Sequence, residues 1–139
     1  METRDQDLLR IRPHIPSAII HDTMSFQERF QNETIRPIAK LQNELLLASF
    51  SNYISKHKNV FYDLSLEKRI AYIENAIHKD MKFRNSLKGM MIGQFTLEEY
   101  QLYITASSAL NKRMMHLVKE RLLSQIQLFE RPTNLTKAS

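Results

Sequence analysis

The sequence contains no cysteine. Disulfides and thiolate metal sites are therefore excluded, and the redox compartment is left open. Glycine occurs only twice in 139 residues, against an average near ~7%. Hairpin-rich β architectures need more Gly, Asn-Gly and Asp-Gly turns than that. No apolar run approaches the roughly 18 residues of a membrane span. The N-terminal segment also lacks the apolar stretch of a secretory signal. The expectation is a cytoplasmic protein with no membrane partner. Cations outnumber anions, 20 Lys and Arg against 15 Asp and Glu, for a net charge of +5. The excess is spread along the chain, so the basic pI of 9.6 does not come from a polybasic arm.

Reaction signatures are missing too. There is no Gly-x-Ser-x-Gly elbow, no Gly-x-x-x-x-Gly-Lys-Ser/Thr loop and no Gly-x-Gly-x-x-Gly. The histidines are His14, His21, His57, His78 and His116, and no two stand at the i, i+4 spacing of a helical zinc site. Glu74 and His78 share a helix face, where an ordinary intrahelical contact is expected. No catalytic residue, metal or other cofactor is expected.

What the chain does have is apolar residues at helical spacing. At this length one domain is expected, burying roughly 68–70% of its unfolded surface. Leu66, Ile70, Ile73 and Ile77 recur at steps of four, three and four, which lines one helix face. Ser65 stands before them as N-cap. The spacing predicts a helix over 65–79, a second or kinked continuation over 80–91, and a connector over 92–95. Gly89 and Gly93 are expected to leave the helix through left-handed backbone. Thr96-Leu97-Glu98-Glu99 reads as a capping box opening a helix over 97–106. Ser107 or Ser108 is then placed to cap a last helix, 109–129, which Pro132 follows.

Earlier in the chain, a short turn over Phe26–Phe30 precedes a helix over 33–57 with Pro37 in its first turns. That helix is apolar almost all round and is expected to lie centrally. Val60, Phe61 and Tyr62 are expected to plug one end of the core. Pro13 and Pro16 argue for an extended segment over 1–25. Its aliphatic residues, Leu8 to Ile20, suggest docking on the domain or on a second copy. The sequence thus predicts an all-α, single-domain bundle of four to five helices. It has an extended N-terminal arm (1–25), a bundle domain (26–129) and a polar tail (130–139).

Two sets of candidate binding residues follow. Lys82, Arg84 and Lys88 lie between Met81 and Phe95 with no acidic residue among them. With Lys112, Arg113 and the free N–H groups of a helix restarting at Ser107 or Ser108, they form a possible anion or nucleic-acid site. Met90, Met91 and Ile92, expected in a loop, form a pliable apolar patch for a protein partner.

The run from Arg84 to Tyr100, with Ser108 to Met115, resembles a group of small bacterial proteins without an established function, some labelled glyoxalases. The similarity spans roughly 30–130. A glyoxalase would imply βαβββ modules with metal ligands on strands, and the resemblance carries over no functional residues. Three functions are expected in order. The first is a non-catalytic helical interaction module, homo-oligomeric or bound to a protein partner. The second is a nucleic-acid or anion-binding protein. The third is a metal-dependent, glyoxalase-like enzyme.

Overall fold

The computed structural model describes residues 3–132; the rest of the expected polar tail, 133–139, lies outside them. Among the described residues the chain is all-helical, with no strand. Seven helices replace the expected four to five: α1 (Thr3–Ile11), α2 (26–41), α3 (Asn43–Lys56), α4 (Leu66–His78), α5 (Met81–Ile92), α6 (Leu97–Tyr103) and α7 (Ser107–Ser124). None of them is long and apolar enough to cross a membrane.

The N-terminal segment corrects the expected extended arm. Thr3–Ile11 is helical, because proline restricts only itself and the residue before it. Pro13 therefore stops the helix at Ile11 and leaves the residues upstream free. The non-helical part runs only from there to Ser25, and two turns interrupt it, closed by the Ala18 N–H on the Ile15 carbonyl and the Met24 N–H on the His21 carbonyl. Ser25 accepts a hydrogen bond from the Glu28 N–H and opens α2.

Pro37 lies inside α2 and not in the first turns of a new helix. It has no N–H for the carbonyl of Glu33, and its ring crowds that carbonyl. The turn before it is widened to π geometry over Gln31–Ile35, with the Arg36 N–H reaching the Gln31 carbonyl. A second interruption, at Gln42 (φ −88°, ψ 5°), divides the expected 33–57 helix into α2 and α3. The Gln42 side chain holds the break by donating to the Met90 carbonyl at 2.8 Å. At the far end of α3, Lys58 and Asn59 take left-handed backbone (φ 64° and 60°), and the Asn59 N–H closes on Ile54. The glycines do not. Neither has positive φ, Gly89 lies within α5, and Gly93 ends it in right-handed backbone.

Other starts follow the residues closely. Ser65 caps α4 and Asp80 caps α5, accepting from the Lys68 and Phe83 N–H groups. The capping box of Thr96 and Glu99 is formed. Ser107 and Ser108 make no cap; α7 begins after Ala106, held at φ −148°, ψ 39°. α7 also ends earlier than expected, at Ser124, and a 3₁₀ turn (Ile126–Leu128) brings Phe129 back to the core.

The central helix is α7, not the 33–57 segment. Leu110, Met114, Met115, Leu117, Val118 and Leu122 are all buried on it, and α2, α3, α4 and α5 pack around it. On α3 only Leu46, Phe50 and Ile54 are fully buried. Phe50 is enclosed by aromatic rings, with Phe129 at 5.0 Å, Phe61 at 5.5 Å, Tyr72 at 6.1 Å and Phe83 at 6.3 Å between centroids. Of the expected plug, Phe61 is buried and Val60 is exposed. On α4 the buried face is Ile73, Ala76 and Ile77; Leu66 and Ile70, at the start of the expected stripe, are exposed.

Candidate functional site

The capping box of α6 is also the anchor of the N-terminal helix. Glu99 must face the start of its own helix to complete the box, and there its carboxylate accepts the Thr96 N–H at 2.8 Å. Arg12, the last residue before Pro13, reaches the same carboxylate with both Nη atoms, at 2.6 and 2.9 Å. Its Nη2 also donates to the Gln94 carbonyl, and Thr34 of α2 adds a hydroxyl at 2.8 Å. The two side chains are 7% and 14% exposed. Burial alone would raise the Glu99 pKa, but the hydrogen bonds from Arg12, Thr96 and Thr34 outweigh it and hold the carboxyl below its ordinary value. Two further contacts fix α1: Asp5 accepts the Leu97 N–H, and Arg4 donates to the Gly93 carbonyl.

This docking is inverted relative to an ordinary amphipathic helix. α1 has no buried residue. It is held by Arg4, Asp5 and Arg12, while Leu9 and Ile11 are 53% and 55% exposed. On α6, Leu97, Tyr100 and Leu102 are also exposed, as is Ile104 just beyond its end, while Tyr103 is buried. Leu9, Phe26 and Leu102 line one groove of about 520 Å³ between α1, α2 and α6. Among the described residues, nine of the 15 exposed large apolar side chains lie in 3–26 and 97–104.

The residues expected to bind an anion lie on α5 and α7 and have different surroundings. Arg113 donates to Gln31 of α2 at 3.0 Å. Arg84 turns back to the Ile77 carbonyl and the His78 ring, at 3.4 and 3.5 Å. Lys88 is half-buried, and Lys112 and Ser108 are exposed. Lys82 alone lines a cavity beside α3. The expected apolar patch is relocated as well, since Met90, Met91 and Ile92 form the last turn of α5 and not a loop. Met91 is fully buried, and Met90 and Ile92 pack on the core.

Glu74 and His78 belong to a mixed cluster. Glu74 faces Lys119 at 3.9 Å, while burial and the nearby Lys119 and Arg84 push the His78 pKa down. Among the described residues no group of three or more side chains is arranged to hold a metal ion.

A second region was not apparent from the residues. Tyr53, on α3, stacks on His57, centroid 4.0 Å away, and meets the tilted Phe83 ring at 4.3 Å. Its hydroxyl donates to Asp80 at 3.0 Å. Burial and the Asp80 hydrogen bond raise the Tyr53 pKa to about 12. The Phe83 N–H and the Tyr53 hydroxyl in turn hold the Asp80 carboxyl below its usual range. Two cavities share Tyr53, His57 and Asp80 as lining, one bordered by Lys56 and Lys82 and the other by Lys79. The available signals were the i, i+4 spacing of Tyr53 and His57 and the position of Asp80 as N-cap. The partners stand 27 residues apart, a separation no local pattern spans. No family model, curated protein or solved structure matches the chain.

Proposed function

We propose that this protein is a non-catalytic helical interaction module that self-associates through the surface formed by α1, the start of α2 and α6. The observation that carries this reading is the docking of α1, tethered by ions and hydrogen bonds with no residue fully buried, Leu8 half-buried and Leu9 and Ile11 turned to solvent. A monomer gains nothing from leaving Leu9 and Ile11 in water, at roughly 25 cal/mol per Å² of apolar surface. Exposed apolar surface concentrated on one side of a small domain marks an interaction site.

The occupant is a second copy of the chain. The groove lined by Leu9, Phe26 and Leu102 carries both signs of charge on its rim, Arg29 with Glu33 and Glu98. A two-fold axis through such a rim brings opposite charges together, as a self-complementary dimer interface requires.

Light scattering coupled to size-exclusion chromatography tests the reading. The expected result is a dimer that the exposed-site variants Leu9→Asp and Ile104→Asp convert to a monomer with unchanged helical circular dichroism. A wild-type monomer at every concentration, or a dimer indifferent to both substitutions, overturns it.

A further inference from the structure

We propose that the groove between α3 and α5 beside Tyr53 binds a small organic anion with a flat, polar-edged ring, its anionic group held by Lys56 and Lys82. The groove encloses about 460 Å³, within the range of sites that take small organic ligands. Ser49, Asn52, Tyr53 and Lys56 face it from α3; Lys82, Phe83, Ser86 and Met90 face it from α5. Ser49 and Ser86 are the small residues that leave the two helices parted. Phe83 and Met90 give the groove an apolar floor, and both ring and thioether pack well against a flat unsaturated body.

Charge and hydrogen bonding narrow the ligand further. Lys56 and Lys82 are exposed, and neither is in an ion pair among the described residues. The one carboxylate at the groove, Asp80, is already occupied by the Tyr53 hydroxyl and the Phe83 N–H. Cations gathered at a cleft mouth raise the local concentration of anions. The Asn52 amide lines the wall and can both donate and accept. A ring with a polar edge satisfies that amide, whereas an alkyl chain would bury it unpaired. The shared chemistry is therefore a ring bearing one phosphate or one carboxylate.

Isothermal titration calorimetry of the full chain at low salt separates the sources. Adenosine monophosphate supplies a ring-bearing phosphate and 4-hydroxybenzoate a ring-bearing carboxylate; inorganic phosphate and octanoate are the controls. At least one ring-bearing anion is expected to bind about tenfold or more tighter than either control, and the tighter of the two identifies the head group. The double variant Lys56→Gln/Lys82→Gln is expected to weaken that binding about tenfold. The variant Ser86→Leu, at an exposed helical position, fills the groove and is expected to abolish binding with charge unchanged. Binding of inorganic phosphate or octanoate as strong as that of the ring-bearing anions overturns the proposal. So does the absence of binding by all four ligands, or wild-type affinity in either variant with native circular dichroism.

Discussion

Arg12 and Glu99 stand 87 residues apart in the chain and form a bidentate ion pair, 2.6 and 2.9 Å, in which each guanidinium Nη meets one carboxylate oxygen. Glu99 is at the same time the third residue of α6 and the closing residue of its capping box. One carboxylate thus terminates a helix, anchors α1 and accepts from α2. Removing Arg12 leaves Glu99 with its backbone and Thr34 donors but without its counter-charge. Because both side chains are largely buried, Arg12→Ala is expected to cost about 3 kcal/mol, read as a lower urea midpoint. Protease cleavage within α1 should accelerate in parallel.

Acid should loosen the same connection. Glu99 has a folded pKa below its ordinary value, so its carboxylate contributes stability that is complete above the unfolded pKa and is lost as pH falls through the lower, folded one. The wild type is therefore expected to lose stability as pH drops below the usual glutamate range, near ~4.3. Glu99→Gln should show a smaller loss over that interval. Urea midpoints of the two proteins across an acid series check it, and equal slopes would refute it.

At the alkaline end the reporter is Tyr53. Its pKa of about 12 is raised, so the neutral phenol stabilises the fold fully below pH ~10, and that contribution is lost as pH rises towards 12. A near-ultraviolet absorbance titration of wild type and Tyr53→Phe is expected to differ in the highest-pH step. In the variant the Asp80 carboxyl, having lost one donor, moves up towards its ordinary value.

The glycines make a packing prediction. Gly89 is exposed within α5, and a Cβ there would meet nothing within 4 Å. Gly89→Ala is expected to stabilise the protein by about 0.5–1 kcal/mol, because a helical alanine loses less backbone freedom on folding. Gly93→Ala should gain less, since its Cβ would lie 3.1 Å from the Gly89 carbonyl oxygen. Thermal unfolding of both variants compares them directly.

Phe50 tests the core. It is fully buried among Phe61, Tyr72, Phe83 and Phe129, so Phe50→Ala is expected to cost about 3–5 kcal/mol. A loss under about 1 kcal/mol by urea unfolding would mean that the surrounding rings collapse into the space.

The features that could be read from the residues are those whose cause is local. Ser65 and Thr96 start helices because each has its hydroxyl beside an orphan N–H and an apolar stripe after it. The break at Gln42 has neither glycine nor proline to mark it; it depends on the Met90 carbonyl, 48 residues away. The centrality of α7 was hidden for a related reason. The 33–57 segment is apolar almost all round while α7 carries a broad stripe, so local pattern favours the wrong helix, and only the packing of four helices around α7 shows which is central. Lys82 lines one cavity with Lys56 and Asn52, which come from α3 and meet it only in the folded chain.

The widened turn before Pro37 has one more consequence, for tolerance of insertions and deletions. Each helical residue advances the azimuth by about 100°, so the extra residue accommodated over Gln31–Ile35 sets the direction in which everything N-terminal to it points. Deleting one residue there would restore regular winding while swinging the Ser25–Phe30 turn round by that angle. Phe30, now 5.6 Å from Phe95 between ring centroids, would be carried out of the interior. The anomaly at residues 31–35 thus acts as the spacer that lets Phe30 share one interior with Phe95.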